Sequence, residues 1–348
     1  LLGRRLNDYQ VVKAGQITVG FCSCVAYFSQ HIICLLTRRY VPIESTMSLY
    51  TNTPPKLILS FVCHVDILGY AQLCQEAIKS DSSNAFLNKV RDALNAAYAR
   101  VRESAKDWNQ KNSFEIKVFT DNIVIGYPLK SDFFRTYGES ELGHIFDVLS
   151  EFQLGLAMEG FLVRGGIAIG EHYMDDDIVF GNALIEAVKQ DNSGGAPKVA
   201  LAPSVIDVLK RHLGFYGDPQ WAPQTRVLLQ DVDDNIFINY LENAFIAFPD
   251  GGVFVDVFVK HKETLTKGLT ENKGIPSVRA KYEWAARYHN SVIDNFLENN
   301  PIPQSPDADE IYACTISEAQ VLKEYRIDIE ALTAVPSKLN IKPISPGT

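Results

Sequence analysis

Basic residues are scarce: 33 Lys and Arg stand against 42 Asp and Glu, for a net charge of -9. That deficit excludes a broad nucleic-acid footprint, because phosphate backbones are held by clustered Lys and Arg. A small anionic ligand needs only a few local cations and is not excluded. The six cysteines form no zinc pattern: Cys22 and Cys24 are one residue apart, and Cys34, Cys63, Cys74 and Cys314 are scattered. Cys63 and Cys74 lie in apolar stretches and read as core, which suits a reduced, cytoplasmic protein. Methionine is rare as well, and the first is Met47. Long apolar runs are lacking: Ile17 to Leu36 comes nearest, but Thr18, Ser23, Ser29, Gln30 and His31 interrupt it, so a membrane anchor is disfavoured. Repeats and low-complexity blocks are absent.

What is present is an ordinary globular composition, 46% hydrophobic and 22% charged. Four segments are expected. Residues 1–55 read as an N-terminal extension outside the fold, 56–200 as the main domain, 201–298 as a C-terminal extension packed on it, and 299–348 as a linker and peripheral tail. The domain opens with a buried strand from Lys56 to Leu68, too apolar between Leu57 and Cys63 to face water. Helical patterns follow from Tyr70 to Lys79 and from Asn84 to Trp108, the second with Phe86, Val90, Leu94, Ala97 and Val101 on one stripe. Runs at Phe114–Phe119 and Ile123–Tyr127 flank Thr120-Asp121-Asn122 and predict a hairpin. A helix from Glu139 to Glu159 and a strand from Phe161 to Gly170 complete the unit. Strand, helix, hairpin, helix, strand is the α+β, ferredoxin-like split βαβ order, with helices on one face of the sheet and an α/β extension behind. A further long helix spans Ser277 to Leu297.

Two acids stand out. Asp66 closes the first strand, where a carboxylate is costly unless something compensates it; a helix cap is the plain alternative. Asp121 sits at the hairpin tip, where a turn aspartate is equally ordinary. In a split βαβ sheet the first strand and the hairpin are neighbours, so the two acids can face each other. Facing carboxylates repel unless cations lie between them, and oxygen ligands suit magnesium or manganese. Arg164, in a strand of apolar residues and glycines, is read as pairing a carboxylate in preference to reaching a phosphate. Asp175-Asp176-Asp177 reads as a solvated loop, and His289 and Trp284 as core.

The ordered motifs Phe61-x4-Asp66-Ile67-x-Gly69-Tyr70, Lys117-x3-Asp121, Arg164-Gly165-Gly166-Ile167-Ala168-Ile169-Gly170 and Phe180-Gly181-x5-Ala187 resemble those of class III nucleotidyl cyclases. The resemblance covers about residues 57–190. It implies that Asp66 and Asp121 bind two Mn2+ or Mg2+ ions, with the Ile67 carbonyl as a further ligand. It also implies that Lys117 contacts the base of a nucleoside triphosphate, a solvated strand lysine being the alternative; Arg164 is kept beside it as a candidate substrate-binding residue on its own chemistry. Three positions depart from the purine enzymes. Ile178 stands where they carry an adenine-reading aspartate, Ile185 where they carry an asparagine, and Lys189 where they carry an arginine.

A narrower resemblance extends to about residue 297. Phe180-Gly181-Asn182-Ala183-Leu184-Ile185-Glu186-Ala187, the run from Asp231 to Leu241, and Lys281-Tyr282-x-Trp284-x3-Tyr288-His289-Asn290 are similar to the pyrimidine cyclases of Pycsar antiphage systems. That implies a uridylate or cytidylate cyclase converting UTP or CTP to cyclic UMP or cyclic CMP. It further implies a homodimer and an effector that responds to the product. A purine cyclase and a non-catalytic nucleotide sensor are the rival readings, and an RNA-binding module is the weakest.

Overall fold

The computed structural model describes residues 49–50, 54–107, 114–129, 131–213, 222–246, 252–299, 321–333 and 339–344. The apolar segment at 17–36 lies outside the described residues. The chain builds β1 (Ile58–Ile67), α1 (Tyr70–Lys79), α2 (Ser83–Asp107), β2 (Glu115–Phe119), β3 (Asn122–Pro128), α3 (Ser131–Met158) and β4 (Val163–Met174). These strands lie in the order β4-β1-β3-β2, and each adjacent pair is antiparallel. That is the split βαβ sheet, with the apolar first strand at its centre.

Alternation along β1 sorts the side chains. Phe61, Cys63, Val65 and Ile67 point into a core with Ile123, Ile125 and Tyr127 of β3. Helix α2 covers that face with Val90, Ala93, Ala97 and Val101, and α3 with Leu142, Ile145, Phe146, Leu149, Phe152 and Leu156. Both stripes repeat every three to four residues, the helical period. A fully buried side chain such as Phe146 contributes about 1.5–3 kcal/mol.

The opposite face is covered differently. After β5 (Val179–Gly181), α4 (Asn182–Gly194) returns across β4 and β1 on the side of Val62 and Ala168. The approach is close because the strand carries glycine there: a Cβ on Gly166 would run into the Ala187 carbonyl oxygen. Residues 56–200 therefore place a helix on each side of the central strands.

The sheet then continues through β6 (Val199–Leu201), parallel to β4, to β8 (Ile236–Ile238) and β7 (Leu228–Gln230). Between these strands run α5 (Pro203–Leu213) and the short α6 (Pro223–Arg226). A 3-10 turn (Tyr240–Ala244) and the small hairpin β9 (Phe245–Ile246) and β10 (Gly252–Val253) lead into α7 (Val255–Glu271) and α8 (Pro276–Asn299). Helix α7 matches no element expected from sequence. Its opening valines, Val255, Val257 and Val259, alternate like a strand and mask the helical stripe of Phe258, His261, Leu265 and Leu269.

Two expectations about the chain ends need correction. Tyr50, within the residues 1–55 read as lying outside the fold, is fully buried, and its hydroxyl donates to Ser60 Oγ at 3.1 Å. The tail is not peripheral either. Leu322, Ile327, Ile329, Ile341 and Ile344 are buried, α9 is a short turn at Ile329–Leu332, and β11 (Lys342–Pro343) pairs with β7. Its apolar residues are too thinly spaced to reveal a strand or helix, and polar groups of α8 hold its backbone. Asn290 donates to the Ile327 carbonyl at 2.8 Å and accepts from the Ile327 N–H at 2.8 Å.

Candidate active site

Antiparallel pairing sets residues from different strands in rows, with facing Cβ atoms about 4.5–5.5 Å apart. One row, on the face toward α4, reads Arg164, Asp66, Asn122, Phe119 across β4, β1, β3 and β2. The next row reads Gly166, His64, Val124, Lys117. Asp121 sits beside the first row, in the turn before Asn122. The Ile67 N–H donates to the Asp121 carbonyl at 3.0 Å, so the two acids share one end of the sheet.

Each acid is already partnered. Asp66 Oδ2 accepts from Arg164 Nε at 2.9 Å, with both side chains mostly buried. The N-cap of α1 is Gly69, with no side-chain cap, so the helix-cap reading of Asp66 falls away. Asp121 Oδ1 accepts from Thr120 Oγ1 at 2.6 Å and from Asn122 Nδ2 at 3.1 Å. Thr120 has φ of 58°, a left-handed conformation that β-branched residues rarely adopt. Asp81 and Asp234 share that conformation in turns elsewhere, so it fixes the hairpin tip without by itself marking a site.

Behind the row lies a carboxylate that sequence reasoning missed. Asp191, near the end of α4, has a side chain 4% exposed. Its Oδ1 lies 3.4 Å from Arg164 Nε, and its Oδ2 lies 3.7 Å from His64 Nδ1. Neither contact makes a hydrogen bond, and both Asp191 Oδ1 and His64 Nδ1 are buried without one. Burial pushes the Asp191 carboxyl above its ordinary range; Arg164 and His64 oppose that rise, and Asp66 adds to it. On its other side His64 Nε2 meets Asn122 Oδ1 at 3.1 Å. Since Asn122 Nδ2 donates to Asp121, the amide presents its oxygen to His64, and Nε2 is the donor. Asp191 is thus tied to Asp66 through Arg164 and to Asp121 through His64 and Asn122.

His64 lies two residues before Asp66, the spacing that puts both on one face of a strand, and that signal could have singled it out. Asp191 gives no such signal. It is an ordinary helix carboxylate until α4 is laid on the glycines of β4.

Lys117 reaches out of the second row to Asp176, with Nζ 2.9 Å from a carboxylate that is 98% exposed. Ile178 and Ile185 are both more than half exposed. Asp175 is held within its loop, accepting from the Tyr173 hydroxyl and from the N–H groups of Asp177 and Ile178.

Among the described residues, no group of three or more His, Cys, Asp or Glu side chains converges as a metal-ligand set. The protein's offer to a cation is two carboxylates at one strand end and the backbone between them. That all-oxygen set fits a hard divalent ion whose remaining ligands come from phosphate and water. Asp191 Oδ1, buried and without a hydrogen bond, stands in ion-pair range of the arginine that is bonded to Asp66.

Fold and site together define an α+β sheet protein with two acids at the ends of neighbouring strands, one of them, Asp66, paired with Arg164. No family model matches the chain, and no curated protein sequence matches it. Among solved structures it is similar to a class III adenylyl cyclase-like ATP-binding protein from Pseudomonas aeruginosa, at 13% identity and a TM-score of 0.35. That superposition covers 53% of this chain and 44% of the other, less than half of that protein's length.

Proposed function

We propose that this chain is a pyrimidine nucleotide cyclase, converting UTP or CTP to the 3′,5′-cyclic monophosphate and pyrophosphate. The observation that supports the reading is that Asp66 and Asp121 lie at the same end of neighbouring strands, where the Ile67 N–H donates to the Asp121 carbonyl at 3.0 Å. Asp66, Asp121 and the Ile67 carbonyl would hold two Mn2+ or Mg2+ ions. When bound, such ions neutralise charge on the phosphate oxygens and lower the pKa of the ribose 3′-hydroxyl.

The remaining work falls to the chain. Arg164, in the same row as Asp66, offers a guanidinium to a phosphate. Lys117, two residues along the same face from Phe119, offers a cation to the nucleoside. In the reaction the 3′-oxygen bonds to the α-phosphorus as the bond to the pyrophosphate oxygen breaks, and the hydroxyl proton passes to water. Positioning supplies much of the rate, because both reacting atoms belong to one molecule. The choice of a pyrimidine rests on the Phe180 to Ala187 motif and on Ile178, which has no polar group to read an adenine. The resemblance carries the wider role: a homodimer that makes a second messenger for antiphage defence, read by a cyclic-nucleotide-responsive effector; the cytoplasmic location rests on the scattered cysteines. Among the described residues no helix is long and apolar enough to cross a membrane.

A non-catalytic nucleotide-binding protein is the second reading, and the Arg164 to Asp66 pair favours it, because it fills a carboxylate the chemistry needs. Incubating the purified protein with each of the four ribonucleoside triphosphates and Mn2+ separates the two. Cyclic UMP or cyclic CMP with equimolar pyrophosphate is expected. Asp66→Asn should lower that rate about a thousandfold, the equivalent of several kcal/mol of charge stabilisation. Tight binding without product would establish the second reading, and product from ATP or GTP alone would overturn the choice of base.

A further inference from the structure

Arg164 has two acids within reach and is hydrogen-bonded to only one. Its Nε donates to Asp66 Oδ2 at 2.9 Å, while Asp191 Oδ1 waits at 3.4 Å without a hydrogen bond. A buried carboxylate oxygen left unpaired is costly. Its place is set by backbone: α4 lies directly on β4 because Gly166 has no Cβ to meet the Ala187 carbonyl, four residues before Asp191. The Asp66 carboxylate, for its part, cannot serve a divalent cation and the guanidinium equally well.

We infer that Asp191 is a positioning residue that takes Arg164 over from Asp66 when a divalent cation binds there. This rests on the reading of Asp66 as a cation ligand. The exchange needs only a short swing of the guanidinium toward an acceptor already in ion-pair range. It keeps the arginine charge compensated while the cation enters, so no bare buried charge is left at either step. It also leaves the guanidinium beside Asp66, where the phosphate of a bound nucleotide would lie. Asp191 itself touches neither cation nor nucleotide in this account. Outer partners of metal ligands commonly alter metal affinity by 10–100-fold.

Mn2+ binding to the nucleotide-free protein, measured by calorimetry and by the loss of the free-ion paramagnetic resonance signal, tests the exchange. The wild type should bind, and Asp66→Asn should abolish that binding. Asp191→Asn should weaken it about tenfold or more, because Arg164 then has no second carboxylate. Arg164→Gln should tighten it, because the competitor is gone. The double variant R164Q/D191N should recover the full affinity of Arg164→Gln alone. Recovery separates an effect through Arg164 from a direct ligand or a packing role, neither of which losing the arginine would repair. Thermal melts of each variant, with Asp191→Glu as a charge-preserving control, exclude loss of fold. Wild-type affinity in D191N, or a double variant as weak as D191N, would overturn the exchange while leaving Asp66 a ligand. No Mn2+ binding dependent on Asp66 in the wild type would overturn both this inference and the function it rests on.

Discussion

Asp191 and Asp231 are almost equally buried, 6% and 8% exposed, yet their surroundings are opposites. Asp231 forms a buried ion pair with Lys198 and accepts from the N–H groups of Asp233 and Asn235, both at 3.0 Å. Lys198 in turn lies near the faces of Phe237 and Trp284. Close by, Tyr240, His261 and His289 form a chain. Tyr240 hydroxyl meets His261 Nε2 at 2.8 Å, the two Nδ1 atoms lie 2.9 Å apart, and His289 Nε2 lies 3.0 Å from the Tyr325 carbonyl. A carbonyl only accepts, so His289 Nε2 carries a proton and its Nδ1 accepts from His261, whose Nε2 accepts from tyrosine. One proton arrangement satisfies all of these groups. At Asp191, by contrast, an arginine and a histidine sit in ion-pair range and no hydrogen bond is made. The Asp231 pair and the histidine chain are saturated, whereas Asp191, beside Asp66, is left with capacity to spare.

The sharpest way to break that contrast is to unbalance the saturated side. Lys198→Met should lower the unfolding free energy by about 3–5 kcal/mol, because Asp231 is left buried without its cation; urea denaturation reads this directly. Acid attacks the histidine chain next. Burial, reinforced by neighbouring His289, holds His261 well below its ordinary range. Burial also lowers His289 to about 4, with Lys262 adding to the fall and the Tyr325 carbonyl opposing it. The unfolded chain therefore takes up protons first. Stability should be full above pH 6.5 and decline as the pH falls from 6.5 toward about 4, by roughly 3 kcal/mol for His289 alone. Urea midpoints across that window check it, and a flat profile would contradict the proton arrangement. The smallest effect belongs to the other side. Asp191→Asn should change stability by under about 1 kcal/mol, because the acid it replaces makes few of its own bonds. A loss as large as that of Lys198→Met would make Asp191 a structural residue.

The same contrast explains what the sequence discloses. Strand β1, the hairpin and helices α2 and α3 announce themselves through unbroken apolar periods. The split βαβ order then brings Asp66 and Asp121 to neighbouring strand ends without any knowledge of side chains. That Arg164 seeks a carboxylate is readable from one charge in an apolar strand; that the carboxylate is Asp66 depends on register, which a sequence does not state. Asp191 is hidden because its role depends on how closely α4 lies on Gly166. Helix α7 is hidden by its alternating valines. The tail is hidden because its isoleucines reach the core from extended segments, held by Asn290 and Ser291 through hydrogen bonds that no periodicity encodes.

A double-mutant cycle on the two strand-end acids tests the central claim most directly. Pyrophosphate release from UTP with Mn2+ is measured for the wild type, Asp66→Asn, Asp121→Asn and the double variant. Acids that serve one site as a unit are non-additive, so each single change should cost about a thousandfold and the double variant should be no slower than either. Losses that multiply in the double variant, or a single variant that keeps the wild-type rate, would contradict the account.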